Sequence, residues 1–286
     1  MHKTNILLES AKESLIKAWQ NKFLLVFLFI LQITFFAAFS LLSLNYIPKM
    51  VESEKAISDY ISQQQLDEAS VASRIMQQKG ILGDDPLSIS RNFNDIKRNF
   101  RSYFIYTFIL FIVVGSIIWA ATSIIVEKIN FFAKLIFSKS SLTKIFFKKM
   151  AVLVFYFGMI SFFFFSILNI SAMNAAAEGA KIFSKYVPLL IFSIALVYFM
   201  FVSLSLPHDT EFKNIVQQTL SIGIRKWHYV LSAYAINISL FSLSVFLLYY
   251  FIEGNMIMLS LSVLIMVSSF VIGRIFLCIL IKRING

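Results

Sequence analysis

The sequence predicts an all-α, polytopic membrane protein with six transmembrane helices, cytoplasmic interfacial amphipathic helices and one helical external loop. Three observations carry this. Apolar residues fill 58% of 286 positions and charged residues 14%, against roughly 45–50% and about 25% in a soluble domain. The apolar excess is gathered into charge-poor runs of about 20 residues or more, enough to cross the hydrocarbon at about 1.5 Å per residue. There are 32 Phe but only 9 Gly and 4 Pro, the composition of long helices with few breaks.

Residues 1–22 read as an interfacial helix. Leu7, Leu8, Ala11, Leu15, Ala18 and Trp19 recur at helical spacing, with Lys3, Lys12, Lys17 and Lys22 outside that stripe. Ser10 and Glu13 have capping-box spacing. A short basic helix with one apolar stripe lies in the membrane interface. Span one is 23–46, too long for the apolar core of a signal peptide and followed by no small-residue cleavage site. Residues 47–102 form the external loop, whose 8 basic and 8 acidic residues cancel. Its spacing predicts a helix after Pro48, a break between Gly80 and Pro86, and a second helix from Phe93 into span two, together a small hairpin in water.

Span two is 103–126. Residues 127–149 hold 6 Lys among apolar residues and read as a second interfacial segment, broken at Ser138–Ser141. Span three is 150–172, its helix extending through Ala175–Ala177. Span four is 186–206, with Pro188 in its first turn, where a missing amide costs little, and Pro207 ending it. Asp209 or Thr210 caps a third interfacial helix, with Phe212, Ile215, Val216, Leu220 and Trp227 on one face. Span five is 229–252, a turn at 253–255 folds the chain back, and span six is 256–281, charge-free but for Arg274 and closed by Lys282 and Arg283.

The unit of interfacial segment, span, loop and span thus recurs three times. The first and third copies align at Trp19 and Trp227, with Lys17 opposite Arg225. In the second, Lys148 and Lys149 precede Met150 in place of a Trp.

With the N-terminus inside, segments 1–22, 127–149, 207–228 and 282–286 hold 15 Lys and Arg against 5 Asp and Glu, and the opposite segments hold 10 against 10. The positive-inside rule then puts both termini in the cytoplasm of a multi-pass cell-membrane protein. Trp19, Lys22, Arg225, Lys226 and Trp227 become anchors at the inner interface, and Tyr46, Tyr103, Tyr106, Tyr186, Tyr249 and Tyr250 mark the outer one. The net charge of +11 needs no nucleic acid to explain it, and no nucleic-acid motif accompanies it.

No catalytic constellation is present: no HExxH, Walker loop, CxxC or G-x-S-x-G. No carboxylate lies within a span, so an intramembrane proton relay or aspartyl or metal site lacks material. No enzyme activity and no cofactor are expected. Cys278 stands alone, which excludes an internal disulfide. His208, Asp209 and Glu211 read as acidic capping of a helix N-terminus.

The functional lead is the set of polar residues inside the spans. Gln32, Asn237 and Arg274 lie roughly 15, 13 and 12 Å from the inner surface at helical rise. An Arg costs about 2.5–3.5 kcal/mol at a helix centre on insertion scales, so it faces other helices, water or lipid phosphate. The three are the candidate intramembrane polar site, an inward-facing cavity or lipid-headgroup site. The alternative is that Arg274 snorkels to the phosphates while Gln32 and Asn237 bond neighbouring helices.

The Leu/Ala/Lys helix ending in Trp19 and the second amphipathic helix ahead of span five resemble a loose group of uncharacterised prokaryotic six-span membrane proteins. That group includes the membrane domain attached to some glycerophosphodiester phosphodiesterases. The sequence departs from it in having no phosphodiesterase catalytic domain and in its long first loop. The resemblance implies a membrane-embedded accessory or structural protein; the lipid bilayer is its expected partner, with a homo-oligomer or a cytoplasmic ATPase as the alternatives for a protein partner. A second reading is the permease subunit of an exporter driven by a separate cytoplasmic ATPase, with 127–149 as its coupling segment.

Overall fold

The computed structural model describes residues 3–63, 87–127, 139–174, 179–252 and 256–285, and every regular element among them is an α-helix. In order these are α1 (Lys3–Gln20), α2 (Lys22–Gln63), α3 (Leu87–Glu127), α4 (Lys139–Asn174), α5 (Gly179–Ser205), α6 (Phe212–Arg225), α7 (Trp227–Phe251) and α8 (Met256–Asn285). Five of them, α2, α3, α4, α7 and α8, are long and apolar enough to cross a membrane. The described apolar stretch of α5, Leu190–Ser205, is shorter. Phe162, Leu190, Ile238 and Phe246 are each more than 60% exposed. In water such surface costs about 25 cal/mol per Å², and against lipid it costs nothing, so these helices fit a multi-pass membrane protein.

The described chain forms two compact units, Met1–Thr34 with Ile112–Gly286, and Phe35–Phe111. In the second unit α2 passes through Pro48 unbroken and ends at Gln63, and α3 begins at Leu87. The helix expected to begin after Pro48 is therefore a continuation of span one, and the second helix runs into span two as expected. Pro48 forfeits one intrahelical bond, but the same turn is tied by Lys49 Nζ donating to Asn45 Oδ1 at 3.0 Å. Tyr46 packs against Tyr103 and Tyr106, with ring centroids 6.2 and 6.1 Å apart. Phe111 meets Phe35 edge-on at 4.9 Å. The expected break at 80–86, the expected extension of the span-three helix through 175–177, most of the second interfacial segment and the turn at 253–255 lie outside the described residues.

In the first unit several local expectations give way. α1 starts at Lys3, so Ser10 is no cap: it lies well inside the helix, fully buried, its hydroxyl unpaired. Residues 139–149 belong to the same helix as span three. α5 starts at Gly179, which puts Pro188 in its interior rather than its first turn. Glu211, not Asp209 or Thr210, is the N-cap of α6, and its side chain makes no capping bond. The loop before α6 is held from outside itself. Lys148 Nζ donates to the carbonyls of Pro207 and His208 at 3.1 and 3.0 Å and to that of Thr210. The His208 amide donates to Glu127 Oε1 at 2.8 Å, and its imidazole Nδ1 meets Glu127 Oε2. His208 thus belongs with Glu127, not with Asp209 and Glu211.

α1 packs on α8 and buries Ser10, Ser14, Lys17 and Ala18, while Leu8, Leu15 and Trp19 face outward. Small side chains allow the close approach, and the outward apolar stripe suits an interfacial helix. Arg283 clamps the contact, reaching Glu9 at 2.5 Å and Glu13 at 3.0 Å, and Glu13 also holds Lys17 at 2.9 Å. Burial pushes the Glu13 carboxyl up, but the hydrogen bond and charge of Lys17, then Arg283, outweigh it and leave it below the ordinary 4.5. A lowered folded-state pKa contributes stability that is full above the unfolded value and lost as pH falls through the folded one. Amide exchange in residues 3–20 is therefore predicted to be slow at pH 6 and to accelerate as pH drops below 4.5, ahead of exchange in α8. Unchanged protection of α1 down to pH 3 would refute the clamp.

Three lysines, Lys17 and Lys149 buried and Lys226 exposed, bind helix ends in this unit. Lys17 Nζ donates to the Val126 carbonyl at 2.6 Å, at the end of α3. Lys149 Nζ donates to the carbonyls of Leu204 and Leu206 at 2.6 and 3.0 Å, at the end of α5. Lys226 Nζ donates to the Ile284 carbonyl, at the end of α8. The last four carbonyls of a helix lack intrahelical donors and carry partial negative charge, so an ammonium there satisfies both needs. Lys17 and Lys226 stand just before α2 and α7, whereas Lys149 lies in the early turns of α4, and each binds the end of the helix after that one. In each of the pairs α2–α3, α4–α5 and α7–α8, a lysine near the start of the pair thus binds the far end of its second helix.

Candidate functional site

Four helices of the first unit enclose a cavity of about 230 Å³. From α7 come Tyr234, Asn237, Ile238 and Phe241, on one face by their spacing. From α8 come Ser269, Phe270, Gly273, Arg274 and Leu277. Trp119 of α3 and Phe201 of α5 complete the wall. The rings pack against one another: Trp119 with Phe201 at 5.9 Å, Phe201 with Tyr234 at 6.3 Å, Phe241 with Phe270 at 4.8 Å. Tyr234 donates to the Tyr198 carbonyl at 3.3 Å, which fixes α7 against α5.

Two contacts set the spacing of α7 and α8. Ser244 and Ser269 share a hydroxyl hydrogen bond at 3.0 Å. Asn237 Nδ2 donates to the Gly273 carbonyl at 3.2 Å, and a Cβ on Gly273 would lie 2.9 Å from Asn237 Oδ1. Glycine is needed there to seat the amide. Gly273→Ala is predicted to push Asn237 off its carbonyl and destabilise the protein by about 1–3 kcal/mol, the range for overpacking. Thermal melting in detergent measures it, and an unchanged melting temperature would mean that Asn237 is not seated as described.

Arg274 is the single charged residue of the lining. Its Nε and Nη2 are buried and have no hydrogen-bond partner among the described residues. Cys278, one turn on, lies near Arg274 and also near Lys149 and Ser205. Toward the lysine-capped end the cavity is followed by a cleft lined by Ser123, Glu127, Ser205, Cys278 and Lys282, which has no room for a water molecule. At the rim Ile238 is 61% and Phe241 36% exposed, so the mouth opens on the apolar flank of α7.

Of the residues singled out from sequence, Arg274 and Asn237 meet in this cavity. Gln32 is buried with an unpaired Oε1 but does not line it. Trp19 is exposed, with Lys22 Nζ 4.4 Å over its ring. Arg225 and Trp227 are exposed. Lys226 is not a free anchor, because its ammonium is bound to α8. Sequence reasoning missed Trp119, Phe201, Phe241 and Phe270, since nothing local separates a cavity-lining ring from the others in a Phe-rich chain. Comparison with protein-family models, with curated proteins and with solved structures finds no match to this chain.

Proposed function

We propose that the protein is a non-enzymatic accessory protein of the cell membrane, with six spans and both termini in the cytoplasm, whose cavity holds the anionic group of a membrane-soluble molecule. The observation that carries this is the pair of unpartnered nitrogens of Arg274, Nε and Nη2, on a mostly apolar wall whose other polar side chains, Tyr234, Asn237 and Ser269, carry no charge. An isolated buried charge is costly unless a counter-charge meets it, and no carboxylate lines the cavity. The orientation is supported by the excess of Lys and Arg on one side and by the lysine caps that gather at one end.

Thermal shift in a neutral detergent tests the reading. An anionic amphiphile at 100 times its dissociation constant stabilises by about 2.7 kcal/mol. It is expected to raise the melting temperature of the unaltered protein and to leave Arg274→Gln unmoved. Equal shifts in both proteins, or none in either, would defeat the proposal.

A further inference from the structure

We infer that the ligand is a long-chain amphiphile with one terminal carboxylate, which enters sideways from the hydrocarbon and sets its head against Arg274. This rests on the reading that the cavity holds an anion, and it names the anion.

Four features point to it. Arg274 is the one charge on the wall, so a single negative charge is matched and the second charge of a phosphomonoester would be left unpaired. The two unpartnered nitrogens, Nε and Nη2, belong to the same edge of the guanidinium, whose parallel N–H groups fit the two oxygens of a carboxylate. The volume of about 230 Å³ is below the roughly 300–1,000 Å³ of pockets that enclose a whole small molecule. A head and the first part of a chain fit, and the remainder leaves past Ile238 and Phe241 into lipid. The cleft beyond Arg274 has no room for a water molecule, whereas the mouth at Ile238 and Phe241 opens on an apolar flank. A phosphodiester needs room for a substituent on each side of its charge, and a terminal carboxylate does not.

Trp119 in the wall reports occupancy. In the full-length Trp19→Phe/Trp227→Phe protein, Trp119 is the remaining indole. Its fluorescence is titrated with a long-chain fatty acid brominated near the carboxylate, with the methyl ester of that acid, and with brominated phosphatidylglycerol. The acid is expected to quench saturably, the ester at least tenfold more weakly. Adding Arg274→Gln is expected to weaken the acid at least tenfold, with Arg274→Lys between. Equal quenching by acid and ester overturns the inference without any substitution at Arg274. Arg274-dependent quenching by phosphatidylglycerol alone overturns the carboxylate and leaves the anion site standing. No saturable quenching by either anion overturns both.

Discussion

Lys149→Met is expected to lower the melting temperature of the detergent-solubilised protein by about 5–10 °C. Lys149 is 1% exposed, and its ammonium is the donor to two carbonyls at the end of α5. Methionine keeps the length and apolar stem of the side chain and removes only the charge and its donors. Each carbonyl left buried without a donor costs about 1–3 kcal/mol. Relief of the buried ammonium offsets part of this, leaving about 2–4 kcal/mol, or a few degrees per kcal/mol for a chain of this size. Lys148→Met is expected to do less, because that side chain holds a half-exposed loop and not a helix end. A Lys149→Met protein that melts with the unaltered one would mean that the caps do not hold the helix pairs together.

Arg274→Met is expected to act in the opposite direction. It too removes a cation from a helix, but this half-buried side chain has two buried nitrogens, Nε and Nη2, without partners, so nothing is stranded when it leaves. Removing buried unpaired donors recovers about 1–3 kcal/mol, and thioether in place of guanidinium suits the aromatic walls. The melting temperature of the ligand-free protein should rise by several degrees while anion binding is lost. This is the pattern of a residue kept for function at a cost in stability. A fall comparable to that of Lys149→Met would place Arg274 among the structural caps. The two substitutions together separate a satisfied cation from an unsatisfied one.

The contrast between these two residues also marks what was legible in the sequence. Arg274 stands alone in a charge-free run, and Asn237 is a polar interruption nine residues after His228, so both could be singled out by pattern. Gln32 has similar depth and was singled out with them, but depth along a helix does not fix the direction in which a side chain points, and Gln32 lies outside the cavity lining. Lys149 was invisible for a different reason. Next to a span, a lysine reads as an interfacial anchor, and its role depends on where α5 ends, 55 residues later in the chain. The long helices themselves were plain from their apolar runs. Their ends were not: the spacing of Ser10 and Glu13 occurs mid-helix, Pro48 and Pro188 are carried inside helices, and α6 goes without a side-chain cap because Lys148 and Glu127 hold its leading loop. In each case a contact distant in sequence, or the tolerance of a long helix for one lost hydrogen bond, outweighed the local signal.

An anion whose charged end is held by Arg274, as proposed, should stay with the protein on extraction. Native mass spectrometry of the full-length protein, extracted from its own membrane in mild neutral detergent, tests it most directly. The unaltered protein should carry one tightly held anionic amphiphile, and Arg274→Met, prepared in the same way and melting no lower, should carry none. The same adduct on both proteins, in the same amount, would contradict the claim.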